Sequence, residues 1–208
     1  MEYDNFIIIF SAPSGSGKST IAKKLIEWQS NIKLSVSATT RQPRGEEQNG
    51  VDYYFLTKEE FEKKIENDEF VEYAKVHDNY YGTLKSQLED KLNNGNDVIL
   101  DIDWQGARQV SDQFDLTKLL KIFILPPSYT ELENRLTSRG TDSAEVIQKR
   151  LKKSIDEVQH CNEYEYIVVN NNLETAFQQI KSIVEARRIR SLKQESLENF
   201  ITQFENHK

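Results

Sequence analysis

The run Ala12-Pro13-Ser14-Gly15-Ser16-Gly17-Lys18-Ser19-Thr20 follows Phe6-Ile7-Ile8-Ile9-Phe10 with only Ser11 between them. An unbroken β-branched and aromatic stretch is the pattern of a strand buried on both faces. From residue 19 to about 29 the spacing becomes helical. A buried strand that breaks at glycines and restarts as a helix makes a specific cradle. Successive N–H groups in the tight turn point inward and form an anion nest, and the helix N-terminus adds unpaired donors and a positive dipole end. Gly15 and Gly17 permit backbone angles that other residues avoid.

The pattern is that of a P-loop, with one departure: Ala12 stands where the first glycine is usual. Alanine serves there if its φ stays negative. Lys18 is then expected to reach the β- and γ-phosphates of a nucleoside triphosphate, and the Ser19 hydroxyl to ligate Mg²⁺. A P-loop implies a triphosphate but not its use, because ATPases, GTPases and small-molecule kinases share it.

The rest of the chain alternates in the same manner. Residues 33–37, 97–103, 119–125 and 166–169 read as further strands, and 129–139, 143–159 and 173–204 as helices. Strands alternating with helices of this length predict a parallel sheet covered on both faces. Residues 39–90 differ in texture. Residues 39–45 read as loop, 52–56 as strand, 58–67 as an amphipathic helix, 70–76 as strand and 79–82 as a turn. This block reads as a small mixed lobe inserted into the larger domain.

Bulk properties exclude several classes. The chain has 208 residues and a net charge of −7, which argues against a nonspecific nucleic-acid binder. Its apolar runs are too short to span a bilayer, and residues 1–5 lack the basic start of a secretory signal. One cysteine, Cys161, and three histidines in no metal-ligand spacing suit a reducing cytoplasm.

Several segments resemble the guanylate kinase family. They are Ser35-Val36-Ser37-Ala38-Thr39-Thr40-Arg41-Gln42-Pro43-Arg44-Gly45-Glu46, Asn49-Gly50-Val51-Asp52-Tyr53-Tyr54-Phe55, Glu69-Phe70-Val71-Glu72-Tyr73 and Asn79-Tyr80-Tyr81-Gly82-Thr83. Leu100-Asp101-Ile102-Asp103-Trp104-Gln105-Gly106, Pro126-Pro127-Ser128 and Arg135-Leu136-Thr137-Ser138-Arg139-Gly140-Thr141 continue it, so the resemblance spans residues 7–183.

The resemblance implies an α/β P-loop NTPase sheet with an inserted GMP-binding lobe and a helical lid. The core would comprise residues 1–36, 91–126 and 159–208, the lobe 37–90 and the lid 127–158. It implies transfer of the γ-phosphoryl group of Mg-ATP to GMP, by a monomer or homodimer. Arg41, Arg44, Tyr53 and Tyr81 would hold the GMP phosphate, with Gly82 beside them. Glu72, Ser37 and Thr83 would read guanine, whose N1–H and 2-amino donors suit a carboxylate. Adenine lacks that pair of donors, and a buried carboxylate left unmatched supports strong discrimination.

Asp101 and Asp103 end a buried strand, where open α/β sheets place their crevice. Either would touch the metal shell or the substrate, or one would cap the following helix. Arg135, Arg139 and Arg150 would belong to the lid, the last two closing over the phosphates; Glu131 is an ordinary salt-bridge partner for Arg135. Asn170 and Asn171 would lie near the adenine, or serve as turn residues. Two rivals stand beside this reading. One is a P-loop kinase with another acceptor, against which Glu72, Ser37 and Thr83 argue. The other is a guanylate-kinase-like scaffold without catalysis, against which Lys18, Ser19, Arg139 and Arg150 argue.

Overall fold

The computed structural model describes residues 3–76, 78–138, 143–190 and 193–205. Its strands are β1 (Ile7–Ser11), β2 (Ile32–Leu34), β3 (Ala38–Thr39), β4 (Tyr54–Phe55), β5 (Phe70–Val76), β6 (Asn79–Leu84), β7 (Asp97–Asp101), β8 (Leu119–Leu125) and β9 (Tyr166–Val169). Its helices are α1 (Lys18–Trp28), α2 (Lys58–Glu66), α3 (Lys85–Asn93), α4 (Trp104–Gln113), α5 (Tyr129–Ser138), α6 (Ala144–Gln159), α7 (Leu173–Arg190) and α8 (Gln194–Glu205).

The larger sheet is wholly parallel, in the order β2-β7-β1-β8-β9. Side chains alternate across a strand, so a continuous apolar run supplies two cores at once. Phe6, Ile8 and Phe10 pack with Ile99, Leu120 and Ile122 beneath α1 and α7. Ile7 and Ile9 pack on the other face with Val98, Leu100 and Phe123 beneath α3 and α4. Each isoleucine of β1 is fully buried, worth about 2 kcal/mol apiece in transfer free energy. With β1 central, the carboxyl ends of β1 and β7 lie side by side, and both lead into the cleft described below.

A four-stranded mixed sheet, β4-β3-β6-β5, lies between β2 and β7 in sequence. Its small core is Ala38, Phe61, Phe70 and Leu84. The Phe61 ring stacks between Phe70 at 4.3 Å and Tyr80 at 5.2 Å. Thr57 opens α2 with a reciprocal cap, its hydroxyl accepting from the Glu60 N–H while the Glu60 carboxylate accepts from the Thr57 N–H.

Several local expectations need correction. Residues 79–82, read as a turn, belong to strand β6. Gly82 is there because the strands pass closely: a Cβ would lie 2.8 Å from the Glu72 carbonyl oxygen and 2.9 Å from the Phe70 ring. The strand expected over 33–37 ends at Leu34, and Thr39, read as the start of a loop, belongs with its neighbour Ala38 to the other sheet. Residues 52–56 contribute only the two-residue β4. The strand expected over 97–103 ends at Asp101, because Asp103 caps α4. The single helix expected over 173–204 divides into α7 and α8. The buried face of α7 runs out at Arg187, and Ile189 is 71% exposed. Helix α3 was not anticipated; its Leu88 packs in the main core beside Val98.

Helices α5 and α6 pair through Leu132, Leu136, Ile147 and Leu151. Helix α5 also touches the glycine-rich turn, since a Cβ on Gly15 would lie 2.9 Å from a Leu132 methyl. Among the described residues no helix is long and apolar enough to cross a membrane.

Candidate active site

The turn from β1 into α1 has the geometry its composition implies. Gly15 and Gly17 have φ of +98° and +90°, and Gly17 is the N-cap of α1. Asp68 is the one described non-glycine residue with positive φ, so Ala12 meets the condition for replacing glycine. Asn170, from the end of β9, braces the turn from below. Its side-chain N–H donates to the Ser16 carbonyl at 2.7 Å, and its own carbonyl accepts from Arg135 at 3.0 Å. A Cβ on Gly17 would lie 2.4 Å from the Asn170 amide, so glycine is required there for space as well as for φ.

The ends of β1 and β7 are tied together. Tyr164 donates to the Ser11 hydroxyl at 2.6 Å, and Ser11 donates to the Ile102 carbonyl at 2.7 Å. Burial pushes the Tyr164 phenol well above its ordinary value, which keeps it a donor. Just beyond, Lys18 forms an ion pair with Asp101. Asp103 takes the capping role, its Oδ1 accepting from the Gln105 and Gly106 N–H groups at 3.0 and 3.1 Å.

One cleft of about 390 Å³ joins these parts to the smaller sheet. It is lined by residues 12–20, by Asp101 and Asp103, and by Ser37, Tyr53, Glu72, Tyr81 and Gly82. Glu72 is its most perturbed group. The side chain is buried, and desolvation, aided by the Asp103 charge, lifts the carboxyl to about 7 against the stabilising bond from Thr83. Thr83 donates to Glu72 Oε1 at 2.8 Å. Gly106 backs the other oxygen, where a Cβ would come within 2.9 Å. Thr83 therefore orients Glu72 from behind, itself only 1% exposed.

Tyr53 and Tyr81 meet edge to face at 6.2 Å. The Arg41 guanidinium lies 5.2 Å from the Tyr53 ring centroid and 3.0 Å from Glu47. The Glu47 carboxylate also accepts from the Arg44 N–H at 2.8 Å, so it grips the loop at two points, while the Arg44 side chain is exposed. The hydrogen bond and charge that Glu47 gives the Arg41 guanidinium hold the Arg41 pKa above its ordinary value.

Arg41, Arg44, Thr83, Arg135, Arg150, Asn170 and Asn171 stand outside the cleft lining. Arg135 is half-buried and bonds Glu131 at 2.8 Å as well as Asn170. Arg150 is half-buried on α6, and Asn171 is exposed in the turn after β9. Arg139 lies outside the described residues. Lys153 and Glu157 of α6, with Ala74, Val76 and Ile102, line the cleft without having been anticipated. Helical spacing of four puts Lys153 and Glu157 on one face, but nothing local says which way that face turns.

Among the described residues no cluster of three or more His, Cys, Asp or Glu side chains is placed to hold a metal. Ser19 and Asp101, both on the cleft, offer one hydroxyl and one carboxylate. Such a sparse oxygen set fits Mg²⁺ completed by phosphate oxygens and water, rather than an all-protein cage.

A parallel sheet with a phosphate cradle at the end of its central strand, beside a carboxylate-ended neighbour, defines a P-loop nucleotide-binding protein. The family model described as guanylate kinase matches residues 4–187. The chain is 48% identical over 192 residues to the guanylate kinase of Ruegeria sp. (strain TM1040), covering 92% of this chain and 88% of that one. It is 50% identical over 178 residues to the guanylate kinase of Rickettsia bellii (strain RML369-C), covering 86% and 92%. The crystal structure of guanylate kinase from Anaplasma phagocytophilum superposes with a TM-score of 0.72 at 36% identity, covering 93% and 90%. This chain belongs to the guanylate kinase family.

Proposed function

We propose that this protein transfers the γ-phosphoryl group of ATP to GMP, giving ADP and GDP, and that it works in the cytoplasm. What carries the reading is a single cleft with a phosphate cradle at one side and the buried carboxylate of Glu72 at the other. The cradle suits the triphosphate of ATP. Glu72 suits the N1–H and 2-amino donors of guanine, and AMP would leave it buried and unmatched. None of the proposed contacts reads a ribose 2′-hydroxyl, so dGMP is accepted as well.

The proposed roles follow from placement. Lys18 exchanges Asp101 for phosphate oxygens when ATP enters, and the N–H groups of residues 14–19 bind the same oxygens. Bound at Ser19 and Asp101, Mg²⁺ would neutralise phosphate charge. Arg41, Arg44, Tyr53 and Tyr81 hold the GMP phosphate, for which two guanidiniums offer planar forks. Ser37 and Thr83 complete the guanine contacts, Thr83 through Glu72. Asp103 orients α4 and the base of the cleft. Arg135, Arg139 and Arg150 form the cationic side of the lid, and Asn171 faces the adenine.

Little general-base work is needed, because the attacking oxygen of GMP is already ionised. Catalysis is positioning and electrostatics, in which one well-placed guanidinium supplies ~10³-fold or more. The lobe of residues 37–90 and the lid of 127–158 close on the core of 1–36, 91–126 and 159–208, excluding water from the γ-phosphate.

A coupled ADP-release assay with Mg-ATP, comparing GMP with AMP, CMP and UMP, tests the reading. Turnover with GMP alone supports it. Turnover with none, or with another acceptor in preference, overturns it.

A further inference from the structure

We propose that Lys153 is a phosphate contact carried by the lid helix α6 and held in place by Glu157; the inference rests on the phosphotransfer reading above. Both side chains line the cleft together with the P-loop. Arg150, Lys153 and Glu157 are spaced three and four apart, which puts them on one helix face.

Glu157 sits where an isolated helix would not place it. It lies in the last turn of α6, at the negative end of the helix dipole, and is only 9% exposed. It also follows Lys153 by four residues, the less favourable order for a helical ion pair. A buried carboxylate so placed needs cations. Lys153 Nζ stands 3.3 Å away, and the charge of Lys18 acts on it as well.

The cleft therefore holds two lysines, each resting on a carboxylate. Lys18 rests on Asp101 and Lys153 on Glu157. An ammonium group kept at the cleft by an acid can exchange that partner for an incoming phosphate oxygen, one charged acceptor for another. The flexible four-carbon stem lets it do so while its backbone stays in the helix. Lys153 thus supplies, from the lid side, positive charge that the P-loop does not, and Glu157 is the positioning residue that keeps it aimed inward.

The test is steady-state kinetics of the wild type, Lys153→Gln, Lys153→Arg and Glu157→Gln, with Mg-ATP and GMP each varied. Lys153→Gln should lower kcat about tenfold with both substrates saturating, a smaller loss than for a fully enclosed donor. Lys153→Arg should return kcat to within about threefold of wild type, since it restores charge but not shape. Glu157→Gln should cost less on the Lys153→Gln background than alone, as expected when one residue acts through the other. Lys153 is half-exposed, so its replacement does not threaten folding. An unchanged kcat in Lys153→Gln, a change confined to KM, or a loss that arginine fails to rescue overturns the inference while the wild type still turns over GMP. Failure of the wild type with GMP overturns the underlying reading instead.

Discussion

In the five-stranded sheet the site is built mainly from backbone. The turn of residues 12–17 offers N–H groups, and its side chains matter chiefly by staying small, as at Gly15 beneath Leu132 and Gly17 against Asn170. In the four-stranded sheet the site is built from side chains. Glu72, Tyr53, Tyr81 and the clamped Arg41 each depend on partners reached through tertiary packing. The supporting cores differ as well. The larger sheet has two apolar layers, one per face, whereas the smaller rests on four buried residues and an aromatic stack. A cradle of main-chain donors recognises any polyphosphate and is robust to most substitutions. A pocket of side chains can tell one base from another, but each of its residues is exposed to mutation, pH and local packing.

The contrast is broken most severely at Lys18, the charged side chain of the backbone cradle. Lys18→Ala should lower kcat by about 10²–10³-fold with the circular dichroism unchanged, because the lysine is only partly buried and packs no core. A loss below tenfold would mean that the N–H nest suffices alone.

The next largest effect concerns Glu72 and pH. Its carboxyl titrates near 7 in the folded protein rather than near 4.5. Between those values the unfolded chain has lost a proton that the folded one retains, so stability falls as pH rises through this window and levels off above it. Glu72→Gln carries no such proton. The wild type should therefore lose on the order of a few kcal/mol relative to Glu72→Gln between pH 4.5 and 7.5, read from urea midpoints. Parallel curves would show that the pocket does not disfavour the charged form.

A third substitution sharpens the comparison within the smaller sheet. Gly82→Ala forces a methyl against the Glu72 carbonyl and should cost about 1–3 kcal/mol in stability and weaken GMP binding before ATP binding. Equal weakening of both would show that the two sheets respond as one. The smallest effect is expected from Thr57→Ala, which removes the α2 cap for about 1 kcal/mol and should leave turnover untouched. Loss of turnover there would mean that the aromatic stack transmits strain to Glu72.

Legibility in the sequence follows the same division. Strands β1, β7 and β8 were readable because burial on both faces demands uninterrupted apolar residues, whereas the edge strand β9 was readable from its β-branched run Ile167-Val168-Val169, of which Val168 alone is buried. The P-loop was readable because its glycines and lysine have little other use in that order. The two-residue strands β3 and β4 carry no periodicity, and the Asn79-to-Gly82 stretch looks like a turn because glycine is needed there for close approach rather than for reversal. The Glu47 clamp on Arg41 and the approach of Lys153 and Glu157 depend on how a loop and a helix are turned in space, which spacing alone does not state. Which of Asp101 and Asp103 caps the following helix was open in the sequence; the structure gives the cap to Asp103 and pairs Asp101 with Lys18.

The central claim is that a carboxylate in the smaller sheet reads the base of the acceptor while the larger sheet handles the triphosphate of the donor. It is tested most directly by the ratio of kcat/KM for GMP over AMP, measured with Mg-ATP in the wild type and in Glu72→Ala. The ratio should fall by on the order of 10²-fold or more in the variant, with the KM for ATP changed little. A Glu72→Ala enzyme that retains the full wild-type ratio would contradict the assignment of guanine recognition to this residue.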